Sequence, residues 1–131
     1  MNSFNKKPFI TTNPENLKKP FELHNDIEYI SNEYNGKNYV IRIGKKYSWD
    51  GASIPRFFWR IVGSQYDPQF LPASCIHDYL CENKDIIEKH GVQVSSDIFR
   101  DILILYKVPA WKAKTMAAAV RAFQYTRKGW N

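Results

Sequence analysis

Residues 32–43 read NEYNGKNYVIRI, and this stretch decides the fold class. Asn35-Gly36 is the dipeptide favoured in a two-residue hairpin turn, where both central positions need a positive φ. After the turn, Tyr39, Ile41 and Ile43 recur at every second position and share one face of a strand. Before it, FELHNDIEYIS (21–31) alternates more loosely. The N-terminal half is therefore expected to form a β-hairpin or small antiparallel sheet. Further upstream, residues 1–20 are polar and carry Pro8, Pro14 and Pro20, which predicts an irregular arm.

Downstream the pattern changes at WDGASIPRFFWRIVG (49–63). Gly51 and Pro55 punctuate a loop, Phe57 to Val62 fits one or two helical turns, and Gly63 to Pro68 is a second loop. Pro72 suits the first turn of a helix over 71–83. A short polar connection runs to Gly91. Ser95 or Ser96 then caps the next helix, with Asp97 in its first turn. Ile98, Phe99, Ile102, Leu103 and Tyr106 keep helical spacing until a stop near Val108. Pro109 opens a last helix with Met116, Ala119, Val120 and Phe123 as its apolar stripe, and Gly129 ends it. The expected architecture is a single α+β domain over 21–131, with the sheet followed by three main helices.

The chain has 131 residues, 44% of them hydrophobic and 15% aromatic, which suits one globular domain with a real core. MNSFNKKPF contains no long apolar run, so no signal peptide is expected. No stretch reaches the roughly 18 apolar residues of a membrane-spanning helix. On one helix, Cys75 and Cys81 would lie about 9 Å apart, beyond disulfide reach. Two thiols suit a reducing compartment.

The net charge of +6 is placed unevenly. After Asp101 there is no Asp or Glu, while Lys107, Lys112, Lys114, Arg121, Arg127 and Lys128 follow. Trp111, Phe123 and Trp130 are interleaved with these cations. Such a segment can face an anionic membrane surface, an acidic protein or nucleic acid. It can also be a solvated helix face with Trp111 and Trp130 sealing the core.

Residues 74–82, SCIHDYLCE, put His77 and Asp78 side by side in an apolar run. Burying both costs several kcal/mol unless each finds a partner. On a helix they point about 100° apart, so they serve different tasks. Asp97 is the expected partner of His77, because the following helix should pack antiparallel, and Asp101 is the second choice. A carboxylate that holds an imidazole is the orienting pair of general-base catalysis. Asp78 would then be available to a hard cation such as calcium. The same residues serve equally as a structural polar network. Asp50, beside Gly51, can bind a cation, cap the following turn or pair with Arg56.

Several stretches together resemble an uncharacterised phage and prophage family, domain of unknown function thirteen-fifty-three. They are DGASIPR (50–56), HDYL (77–80), Asp97, AAAVRAF (117–123) and Trp130. Trp49 stands where that pattern has Thr, and Cys81 where it has Tyr. The resemblance spans about residues 38–131 and implies phage origin without an activity. HD followed about 20 residues later by an Asp is also similar to the phospholipase A2 core. That likeness implies His77 as general base for a water, Asp78 as a calcium ligand and Asp97 as the group that orients His77. The glycine-rich calcium loop of those enzymes is absent, unless Asp50 to Ser53 replaces it. The leading expectation is a small phage-type hydrolase of esters or phospholipids. The alternative is a non-enzymatic virion or host-interaction protein with a structural His-Asp pair.

Overall fold

A computed structural model of the protein describes residues 2–13, 15, 16, 18–50, 69–83 and 91–125. The chain divides into two compact units, Met1–Asp50 and Gly51–Asn131. Among the described residues the first holds six strands and the second three helices, so the α+β expectation is met.

In the first unit the hairpin forms as its sequence requires. Strands β4 (Ile27–Tyr34) and β5 (Lys37–Ile43) pair antiparallel around Asn35 and Gly36, with φ of 57° and 78°. Ile27, Tyr29, Tyr39, Ile41 and Ile43 are all buried. The register slips by one residue between Ile30 and Glu33, which places a bulge on β4. Ser31 satisfies the irregular backbone there. Its hydroxyl accepts the Tyr39 N–H (2.7 Å) and donates to the Asn32 carbonyl (2.7 Å).

The irregular arm expected over residues 1–20 instead contributes two strands. β1 (Ser3–Phe4) pairs with β4, giving the sheet β1-β4-β5. β2 (Ile10–Thr12) pairs with β3 (Phe21–Leu23), which pairs in turn with β6 (Ser48–Trp49). The prolines lie between these strands and interrupt none of them, so the ladders keep their donors. Asn2 and Asn5 supply further ties, from Asn2 Nδ2 to the Tyr29 hydroxyl (2.8 Å) and from the Glu28 N–H to Asn5 Oδ1 (2.8 Å).

In the second unit α1 (Leu71–Glu82) packs on α2 (Gly91–Leu105), and α2 packs on α3 (Ala110–Tyr125). Pro72 lies in the first turn of α1, and Asn83 closes its end by donating to the Tyr79 carbonyl from both backbone and side chain. Helix α2 (Gly91–Leu105) is already formed at Gly91, several residues before the expected serine cap. Ser95 and Ser96 lie inside it and donate to the carbonyls of Val92 (3.1 Å) and Gln93 (2.9 Å). A serine hydroxyl satisfied on the preceding turn no longer needs a helix end. The helical turns expected over Phe57 to Val62 and the end of α3 at Gly129 lie outside the described residues.

Helix α2 stops in a Schellman motif. The Val108 N–H reaches the Leu103 carbonyl (3.0 Å), and the Lys107 N–H reaches that of Ile104 (3.0 Å). Lys107 takes the left-handed position, with φ of 72°. A glycine there avoids the Cβ clash, so Lys107→Gly is expected to raise stability by about 0.5–1 kcal/mol, read from the urea midpoint. A β-branched Lys107→Val should move the midpoint the other way.

Candidate functional site

Helix α1 is apolar all round, and residues 71–78 are buried without a break. This is the pattern of a helix enclosed by its neighbours. His77 and Asp78 share that enclosure: the His77 side chain has 0% exposure and Asp78 has 4%. One turn on, Cys81 Sγ lies 3.8 Å from His77 Nδ1. From α2 the Phe99 ring meets the imidazole edge-on at 5.5 Å. Cys75, on the same helix, is also fully buried. Burial first, and then the negative charges of Asp78 and Glu82, push its thiol pKa well above the ordinary value. It therefore stays protonated and inert at neutral pH. Both cysteines are thiols, as their helical spacing predicts.

Asp97, expected to hold His77, is instead taken by two guanidiniums. Its Oδ1 accepts from Arg121 Nη2 (2.9 Å) and from Arg100 Nη1 (3.3 Å). Arg121 also donates from Nε to the Ser96 hydroxyl (3.0 Å), so it clamps α3 to α2 across two side chains. Arg100 Nε donates to Asp101 Oδ1 (3.0 Å), which occupies the second-choice carboxylate as well. The cluster is only partly exposed, with Asp97 at 14% and Arg121 at 38%. A carboxylate shared by two cations is already neutralised and is poorly suited to stabilise an imidazolium.

Asp50 is exposed at the end of the first unit, while Arg56 and Trp130 lie outside the described residues. Lys112 is half-buried, with its ammonium 5.7 Å from the centre of the Phe70 ring. Trp111 is 70% exposed, so it does not seal the core. Among the described residues no group of three or more His, Cys, Asp or Glu is placed to hold a metal ion. No described helix is long and apolar enough to cross a membrane.

The sequence reading missed Arg100, the role of Ser96 and the pairing of Arg121. Helix geometry held a usable signal. Asp97 lies about 12 Å before the end of α2 and Arg121 about 16 Å after the start of α3. Two antiparallel helices joined by a short loop bring such positions to a similar height.

A curated relative from Sinorhizobium fredii (strain NBRC 101917 / NGR234), "Uncharacterized protein y4jT", is 36% identical over 118 residues, covering 88% of this chain and 31% of the relative. The chain thus spans about a third of the length of that relative. No solved structure matches. The family model that matches covers residues 21–120, from the β3 strand through most of α3, and with that coverage the chain belongs to the family described as protein of unknown function (DUF1353).

Proposed function

We propose that the chain works by binding, as a phage-type virion or host-interaction component, and that His77 and Asp78 form an internal structural network. The sealing of His77 carries this reading. A general base must reach the proton it abstracts, directly or through one water. An imidazole with 0% exposure meets neither solvent nor a substrate in the folded chain. The double capture of Asp97 Oδ1 by Arg100 and Arg121 supports the same reading, because it removes the expected positioning group. The likeness of DGASIPR and HDYL to the phage family supports the virion or host context.

The test is turnover. Wild type and His77→Gln are incubated with a panel of carboxylic esters and phospholipids, with and without calcium. Neither protein is expected to exceed the buffer rate, and calcium should change nothing. Wild-type turnover that vanishes in His77→Gln, while the melting transition holds, would establish the hydrolase instead. His77 would then be the base and Asp78 the cation ligand.

A further inference from the structure

The corner between α2 and α3 offers a surface that the buried network does not use. We infer that this corner docks on an anionic phospholipid surface. The inference names the partner of the binding role proposed above and rests on that reading.

Two antiparallel helices joined by the loop 106–109 put the last turn of α2 and the first turns of α3 at the same end of the helical unit. At this end large apolar side chains stand in solvent: Ile104 is 40% exposed, Leu105 38% and Trp111 70%. Lys107, in the loop, and Lys114, in the second turn of α3, are exposed and form no ion pair among the described residues. Lys112, in the first turn of α3, is half-buried with its ammonium over the Phe70 ring. From residue 102 onward the sequence has no carboxylate to oppose them. Lys107 also occupies the left-handed position of the Schellman turn, which glycine fills at less cost.

The chemistry favours a bilayer over the other anionic partners. Tryptophan partitions to the boundary between headgroups and acyl chains, and flanking lysines reach the phosphates. Aliphatic Ile104 and Leu105 gain by entering the acyl region but offer no stacking plane to a base. Lysine is depleted from the buried centres of protein interfaces.

The full chain is sedimented with phosphatidylcholine vesicles, with and without phosphatidylglycerol. Binding to anionic vesicles is expected to be at least about tenfold tighter than to neutral ones, and to weaken with salt. The double variant Lys107→Gln/Lys114→Gln should lose about 25-fold, at roughly fivefold per lysine. Trp111→Ala should lose about tenfold as well. Because these side chains are exposed, circular dichroism should show all variants folded. Equal binding to neutral vesicles, or variants that bind as wild type does, would overturn the inference. So would retention on a single-stranded oligonucleotide without vesicle binding. Absent vesicle binding with a silent ester panel removes the lipid partner and leaves the binding role. Vesicle binding beside His77-dependent turnover supports the corner and removes the binding-only reading.

Discussion

His77→Ala is expected to lower the unfolding free energy by about 2–4 kcal/mol, seen as a fall in the urea midpoint with the slope unchanged. The side chain has no exposed surface, and the Phe99 ring against it is itself fully buried. Truncation therefore opens a cavity that its walls cannot easily close. Cys81 Sγ, 3.8 Å from Nδ1, also loses its contact. A histidine kept only for chemistry behaves differently, because its removal usually leaves stability within about 0.5 kcal/mol or raises it. A midpoint that does not move would thus count against the structural role, whatever the ester panel gives.

Asp97→Ala should cost about 2 kcal/mol, and Asp97→Asn about half of that. The carboxylate is 14% exposed and serves two guanidiniums through one oxygen. Alanine strands both cations, and among the described residues only the Ser96 contact of Arg121 and the Asp101 contact of Arg100 remain. Asparagine keeps an acceptor of the same shape and loses only the charge, and charge-assisted bonds are about twice as strong as neutral ones. The arginines are partly solvated, so the figure stays well below that of a buried ion pair. A double-mutant cycle with Arg121→Ala isolates the clamp. A coupling of about 1 kcal/mol is expected, and a value near zero would show that the two helices do not depend on it.

What could be read from the sequence differs sharply between the two units. Asn35-Gly36 and the alternation after it are local signals, and local signals suffice for a hairpin. The strands in residues 1–20 were hidden because they are two and three residues long and exist only through pairing with β4 and β3. A strand so short carries no periodicity of its own. The start of α2 was misplaced because Ser95 and Ser96 look like caps, whereas their hydroxyls turn back to Val92 and Gln93. For the site, the buried His-Asp pair was visible as a break in an apolar run. Its partner was not visible, because Asp97 had two kinds of neighbour to choose from. Coulomb attraction to Arg121 on one side and Arg100 one turn away outweighs a single hydrogen bond to an imidazole. The even polarity of residues 102–131 also concealed that Arg121 turns partly inward while Lys107 and Lys114 stay outside.

The unbroken burial of residues 71–78 has a consequence in time as well as in space. A helix with a wet side can fray or open one turn at a time, and its amides then exchange quickly with solvent hydrogen. Through these eight residues α1 has no wet side, so its backbone hydrogens are released only when the packing that encloses it opens. The imidazole in its middle shares that clock. A reagent aimed at His77 would wait for a cooperative opening rather than for a collision, and its modification would report the rate at which the unit unfolds.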